Sequence, residues 1–292
     1  MQILITGAYG QLGSEMLQLK QDYPGWKFLL TDVDTLDIAN EAAVLRFFAQ
    51  NKIDFVVNCA AYTAVDKAES DKETAHFVNA LAPKILAVQC RKVGAKFIHI
   101  STDYVFAGDA CTPYSETDRT NPQGIYGKTK LDGEENVLEE NPDAMIIRTS
   151  WLYSAFGNNF VKTMLRQGKE RKELNVVFDQ VGSPTYAADL ATVILQIIEK
   201  YEQDEKSFVC GIYHYANEGV ASWYDFAIAV FELSGEKVKV NPVLSDQFPR
   251  PAKRPKYSVL NKSKIRKTFG FNIPYWKNSL QVCINRLEKE YR

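Results

Sequence analysis

Ile3-Leu4-Ile5-Thr6-Gly7-Ala8-Tyr9-Gly10-Gln11-Leu12-Gly13 runs from an apolar stretch into three glycines spaced G-x-x-G-x-x-G, and then into an amphipathic segment. The first glycine permits a tight turn. The second lets the backbone approach a pyrophosphate, and the third lets a helix pack closely on a strand. A helix that starts there also points its N-terminus at the anion. Glycines occur in plain structural turns too. The place of these three, between a strand and a helix at the start of the chain, is what makes them a candidate dinucleotide loop.

Outward from that loop, short apolar runs alternate with helical patterns. Ile3–Thr6, Phe28–Thr31, Phe55–Asn58, Phe97–Ile100 and Met145–Arg148 read as strands. Several are apolar without alternation, as strands covered on both faces are. Helix formers at helical spacing fill Gln11–Lys20, Glu41–Asn51, Glu69–Val93 and Gly124–Glu140. The alternation predicts an α/β fold, a Rossmann-type doubly wound parallel sheet. After Trp151 the pattern loosens. Helices are expected at Asn159–Arg166, Ala187–Tyr201 and Trp223–Ser234, strands at Asn175–Phe178 and Ile212–Tyr215, and two helices at the end. We expect a dinucleotide-binding domain over 1–150, joined by 173–205. A smaller, interleaved C-terminal substrate lobe is expected from 151–172 and 206–292.

The 35 Lys+Arg nearly cancel the 36 Asp+Glu among 292 residues. That balance gives no electrostatic reason to expect nucleic acid or a membrane as partner. The five cysteines, Cys59, Cys90, Cys111, Cys210 and Cys283, show no C-x-x-C spacing and are odd in number. A reducing, cytoplasmic setting fits them best. No apolar run approaches the roughly 20 residues that span a bilayer, and the first residues carry no basic, cleavable leader pattern. A soluble, unprocessed protein is expected.

Asp32 ends the second strand, about 20 residues past the loop, where a carboxylate can accept from ribose hydroxyls and repel a 2′-phosphate. It favours NADH slightly over NADPH, although a solvated turn aspartate remains an alternative. Asp37 and Ile38 are the next candidates, as adenine contacts. Tyr126 and Lys130 are four apart on a predicted helix and so share a face. A phenol titrates near 10, and an adjacent ammonium lowers that value and makes it a usable acid. Such pairs are common on surfaces. The loop upstream and Ser101-Thr102 at the C-terminal end of the fourth strand favour chemistry, because open parallel sheets bind ligands at their strand ends.

Several segments together resemble the extended short-chain dehydrogenase/reductase superfamily. They are the glycine loop, Asn58-Cys59-Ala60-Ala61, Ser101-Thr102-Asp103 and Tyr126-Gly127-Lys128-Thr129-Lys130. Within it the chain is most similar to the dTDP-4-dehydrorhamnose reductases, through Thr63–Glu69, Ser101–Phe106, Arg148–Tyr153, Asp179–Thr185 and Arg250–Pro255. The resemblance implies NAD(P)H-dependent reduction of the C4 ketone of dTDP-4-dehydro-L-rhamnose. It implies Thr102, Tyr126 and Lys130 as catalytic residues: Tyr126 the proton donor, Thr102 orienting the carbonyl, Lys130 on the nicotinamide ribose and tuning Tyr126.

Cofactor contacts are expected from Gly7, Tyr9, Gly10, Gln11, Leu12, Gly13, Asp32, Asp37, Ile38, Ala60, Ala61, Tyr62, Asn79, Tyr126 and Lys130. Substrate contacts are expected from Thr63, Val65, Asp103, Tyr104, Trp151, Asn159, Lys162, Gln180, Arg250 and Arg254. The related dehydratases carry Asp-Glu after the catalytic Thr, whereas Asp103-Tyr104 stands here, so the elimination acid is missing. Tyr62-Thr63 departs from the His-Thr of many relatives. Glu15 matches one magnesium ligand of dimeric relatives, but Ala188-Asp189 stands where another glutamate is expected. No metal is expected, and the protein is a monomer or a homodimer with a small nucleotide-sugar substrate.

Arg250, Lys253 and Arg254 lie in a proline-rich loop and could bind a diphosphate or be solvated. His99, inside an apolar strand, reads as a core histidine. Trp223, Tyr224 and Phe226 read as helix core. Two other functions stay open: a different nucleotide-sugar reductase or epimerase, and a non-catalytic cofactor-binding regulatory subunit.

Overall fold

A computed structural model describes residues 1–290. The first half builds strands β1 (Gln2–Thr6), β2 (Lys27–Thr31), β3 (Phe55–Asn58), β4 (Lys96–Thr102) and β5 (Met145–Thr149), separated by helices α1 (Gln11–Gln18), α2 (Glu41–Gln50), α3 (Ala82–Val93) and α4 (Ile125–Glu140). The second half adds α5 (Phe160–Glu170), β6 (Glu173–Val177), α6 (Ala187–Gln203), β7 (Gly211–His214), α7 (Trp223–Ser234), β8 (Lys239–Val243), α8 (Ser263–Phe269) and α9 (Trp276–Glu290).

Six strands form one parallel sheet in the order β7-β5-β4-β3-β1-β2. Every residue of β3 and β5 is buried, because helices cover both faces of a doubly wound sheet. One face packs on α1 and α6 through Met16, Ile194 and Ile198. The other packs on α2, α3 and α4 through Phe48, Leu86 and Val137. The chain leaves β1 toward β2 and returns on the opposite side to β3. That reversal opens a crevice beyond the C-terminal ends of β1 and β3, where such sheets bind ligands.

Two late strands exchange the places expected of them. β7, expected in the smaller lobe, is the sheet's edge strand, registered on β5 from Gly211–Met145 to His214–Arg148. β6, expected with the sheet, pairs in parallel with β8. It buries Leu174 and Val176 in a second core with α5, α7 and α9, including Phe226, Val230, Leu280 and Leu287. β6 alternates exposed polar and buried apolar residues while β7 is a short Gly211-Ile212-Tyr213-His214 run, and neither says which partner edge is free.

The expected helix over Glu69–Val93 is also divided. A short helix Val65–Ala68 precedes Lys72–His76, a π-helical turn Phe77–Leu81 and then α3. The extra residue of a π turn re-aims side chains, and here Asn79 is fully buried. Among the described residues no helix is long and apolar enough to cross a membrane.

Candidate active site

A cleft of about 760 Å³ opens at the C-terminal ends of β1, β3, β4 and β5 and runs from the glycine loop to Trp151, Trp223 and Arg254. At the loop end, Gly7 has φ 62°, and a Cβ on it would lie 2.7 Å from the Ala60 backbone. A Cβ on Gly13 would lie 2.6 Å from Ala8. Both glycines therefore let α1 and the loop after β3 close on β1. Gly10 caps α1 in extended conformation with no side-chain cap bond. The first N–H groups of the helix are left facing the cleft, as an anion site requires. Gly7→Ala combines a left-handed conformation with a backbone clash. It should lower stability by about 2–4 kcal/mol and weaken dinucleotide binding more than tenfold, read by thermal melts and by cofactor fluorescence titration.

Gly7, Gly10, Gln11, Leu12, Asp32, Asp37, Ile38, Ala60 and Ala61 line this end. Asp32 accepts from the backbone N–H of Tyr9 (3.2 Å) and of Val33 (2.9 Å), which fixes the carboxylate at the rim. Tyr9 itself is 62% exposed, and its ring is not part of the wall. Gly13 is buried on the face of α1 that packs on Ala8 and is not part of the cleft wall.

The chemical end is built by β4 and α4. Thr102 ends β4 and caps the 3-10 turn Asp103–Val105 by accepting from the Tyr104 N–H (3.2 Å). Its hydroxyl donates to Asp103 Oδ1 at 3.0 Å. A Cβ on Gly127 would strike the Tyr104 carbonyl, and one on Gly133 would strike the Asn79 carbonyl. These two glycines let α4 press against β4 and the π turn, and so bring Tyr126 to Thr102. Neither was singled out from sequence, although both fall inside a helix, where glycine is otherwise costly.

Tyr126 packs edge-on against Tyr104 with ring centroids 5.5 Å apart. Burial pushes its phenol up to about 12, and the Thr102 hydroxyl works the other way. The expected lowering by Lys130 is absent: Lys130 Nζ is turned to the Ile100 carbonyl at 2.6 Å, and the charge that acts on the phenol is that of Asp103, which raises it further. Burial likewise pushes the Lys130 ammonium down to about 8, opposed by Glu134 and Cys59. Asp103 is raised by burial to about 6, against hydrogen bonds from Ser258 and Thr102, and its Oδ2 has no partner.

Thr63, Val65, Thr102, Asp103, Tyr104, Tyr126, Lys130, Trp151 and Arg254 share this end of the cleft. Trp151 holds a left-handed backbone, φ 47°. Its ring stacks on Trp223 at 3.6 Å and 7° and covers Gly182, where a Cβ would meet it at 2.6 Å. Trp223, read from sequence as helix core, is thus a wall of the cleft. Its signal was its place as the first residue of α7, where a side chain can face outward past the helix end. Arg254 donates to Asp66 Oδ2 at 3.0 Å and keeps a buried Nε without a partner.

Six other expected contacts lie outside the cleft wall. Asn79 spends its amide on the Tyr62 backbone and on Thr129. The Tyr62 hydroxyl donates to Asp71. Asn159 caps α5 by accepting from the Lys162 N–H, and it donates to Ser154 O and Gln11 Oε1. Lys162 Nζ donates to the Ala155 carbonyl. Gln180 donates to Ser245 Oγ. Arg250 lies 4.0 Å from Asp66 and over the Phe248 ring. Hydrogen bonds to neighbouring segments account for five of them, and the ion pair and ring contact for Arg250. Glu15 is buried between Ser154 Oγ (2.5 Å) and Arg286 Nη1 (2.7 Å).

Residues 1–289 match the family model described as RmlD substrate binding domain. The chain belongs to the dTDP-4-dehydrorhamnose reductase family. A dTDP-4-dehydrorhamnose reductase of Aggregatibacter actinomycetemcomitans is 42% identical, over 96% of this chain and 97% of that one. The crystal structure of a dTDP-4-dehydrorhamnose reductase from Clostridium acetobutylicum superposes with TM-score 0.93 at 49% identity, covering 99% of this chain and 100% of that one. A second, from Bacillus anthracis in complex with NADP, superposes with TM-score 0.92 at 40% identity, covering 98% and 99%. Membership of this family carries with it a nucleotide cofactor on the parallel sheet.

Proposed function

We propose that this chain reduces the C4 ketone of dTDP-4-dehydro-L-rhamnose to the alcohol of dTDP-L-rhamnose. One observation carries the proposal: Thr102, Tyr126 and Lys130 meet at one end of a single cleft whose other end is the glycine loop. The glycine loop and the open N-terminus of α1 suit a dinucleotide pyrophosphate. A reduced nicotinamide, when bound, supplies the hydride. The protein must then protonate the oxygen that gains charge. Tyr126 does so, because burial keeps its phenol protonated at neutral pH. Thr102 holds the carbonyl oxygen beside that phenol. The Lys130 ammonium holds the cofactor ribose. Trp151 and Trp223 wall the sugar, and Arg254 offers its free Nε–H to the diphosphate. Asp103-Tyr104 follows Thr102 where an elimination would need a second acid, and that leaves simple ketone reduction.

Asp32 at the rim supports NADH over NADPH, since a carboxylate there repels a 2′-phosphate. Asp32→Ser should raise kcat/KM for NADPH relative to NADH by about tenfold or more, measured with both cofactors under one buffer. Lys130, with its ammonium held down to about 8, loses its charge as pH rises through that value. The kcat/KM profile should therefore fall on its alkaline side with an apparent pKa near 8, while Tyr126 stays protonated throughout.

The test is NAD(P)H oxidation with the keto sugar generated in situ, using dTDP-, UDP- and GDP-linked substrates. Stoichiometric oxidation with the dTDP sugar is expected. Sugar conversion without net cofactor consumption would indicate an epimerase, and cofactor binding without turnover a regulatory subunit.

A further inference from the structure

His99 lies in the middle of β4 and is fully buried. Its Nδ1 is 3.0 Å from Asn58 Nδ2, and its Nε2 is 3.5 Å from Lys130 Nζ. The orientation of Asn58 is set by the Ala60 backbone N–H, which can only donate and meets Asn58 Oδ1 at 3.2 Å. Thr6 Oγ1 donates to the same oxygen at 2.6 Å. The amide group of Asn58 must therefore face His99 and donate to Nδ1. A neutral imidazole accepting at Nδ1 carries its proton on Nε2. That N–H points at Lys130 Nζ, whose other near contact is the Ile100 carbonyl at 2.6 Å.

An ammonium has donors only. Facing the locked Nε2–H, it meets a second donor, and the 3.5 Å separation is at the outer limit of a hydrogen bond. A neutral amine in the same place accepts from that N–H. The remaining groups around Lys130 are Glu134 one turn along α4, whose charge is matched by Arg148, and the Cys59 thiol after β3. We propose that His99 is a positioning residue for Lys130: its tautomer, locked by Asn58 from β3, presents an N–H to the lysine nitrogen, holds that nitrogen toward Ile100 and disfavours its cationic form. The lock begins at Thr6 and Ala60, beside the glycine loop, and ends at the proposed catalytic lysine. It rests on the proposed role of Lys130 in ketone reduction. The neutrality of His99, held well below its ordinary value by burial and then by Lys130, agrees with this arrangement.

The test uses the full-length enzyme with 15N-labelled histidine and long-range proton–nitrogen correlation spectra. The chain has three histidines, His76, His99 and His214, and the signals missing in His99→Asn assign the ring. The expected result is a neutral ring protonated at Nε2 from about pH 6 to 9, whose Nε2 shift moves as Lys130 titrates. A ring protonated at Nδ1, or a cationic one, would overturn the proposal. This arm needs no turnover, so it stands even if no keto sugar is reduced.

Asn58→Asp supplies the second arm. The carboxylate still accepts from Ala60 and Thr6 but also accepts from His99 Nδ1–H, which leaves an Nε2 lone pair for the ammonium. The alkaline limb of kcat/KM should move up by roughly one pH unit. The same change in a His99→Phe background reports the added charge alone and should move the limb by less. Equal shifts with and without His99, or no shift, would contradict the assignment.

Discussion

Tyr126→Phe should lower kcat by about 10²–10⁴-fold, the range a positioned general acid contributes, and leave dinucleotide affinity within a few-fold of the parent. The phenylalanine ring keeps the edge-on contact with Tyr104 and removes only the hydroxyl beside Thr102. Folding should therefore be preserved, and the loss should fall on kcat rather than on the melting temperature. Steady-state kinetics alongside a thermal melt separate the two. An unaffected rate would remove Tyr126 from the mechanism. A large fall in melting temperature with the rate loss would make it a structural residue instead.

The second large effect is expected one helical turn below Lys130. Arg148 on β5 grips Glu134 on α4 with Nε at 2.9 Å and 3.1 Å and Nη2 at 2.6 Å. Ser101 Oγ completes the cluster at 2.5 Å from Glu134 Oε1. Both charged side chains are nearly inaccessible, 3% and 2% exposed. Arg148→Met leaves the Glu134 carboxylate buried without its counter-charge. The expected cost is about 3–5 kcal/mol, a large share of the 5–15 kcal/mol that holds a typical domain together. Arg148→Met with Glu134→Gln removes both charges and should recover part of that loss in denaturant melts. The single variant should also move the alkaline limb of kcat/KM upward, because an unmatched carboxylate favours the Lys130 ammonium. A loss below 1 kcal/mol would show that water or another donor already satisfies Glu134.

The elements that position the site were legible because each carries its own local signal. An unbroken apolar run marks a strand covered on both faces, as Phe55–Asn58 shows at full burial. Glycines at Gly7 and Gly13 sit where a Cβ would strike backbone, so their spacing reports a real close approach. What was not legible depended on tertiary partners. β6 and β7 are both short strands that do not name their partners, and they join different sheets. The π turn at Phe77–Leu81 is announced only by Pro83 just beyond it, which marks an interrupted helix without saying that the interruption is a π turn. Asn159 and Lys162 follow Trp151 closely in sequence, but Asn159 is a helix cap, a role its residue type already suggested. Trp223 was hidden for the opposite reason. It opens a helix whose next turn buries Phe226 and Ala227, so its apolar character reads as core when its ring in fact stacks on Trp151.

His99 shows the same limit at the scale of a proton. Its residue type and strand position say only that it is buried and satisfied. The direction of its hydrogen bonds follows from Asn58, whose Oδ1 is taken by the local Ala60 N–H and by Thr6 Oγ1, and whose amide meets His99 only once β1, β3 and β4 are side by side.

The central claim is that a hydride reaches the sugar carbon whose oxygen Tyr126 protonates. The most direct measurement is a single-turnover reaction with cofactor deuterated at the transferable position of nicotinamide C4 and the dTDP-4-keto sugar, followed by NMR of the isolated sugar nucleotide. One deuterium at C4 of dTDP-L-rhamnose, with one cofactor oxidised per sugar, is the predicted result. A product without label, or cofactor recovered in its reduced form, would contradict it.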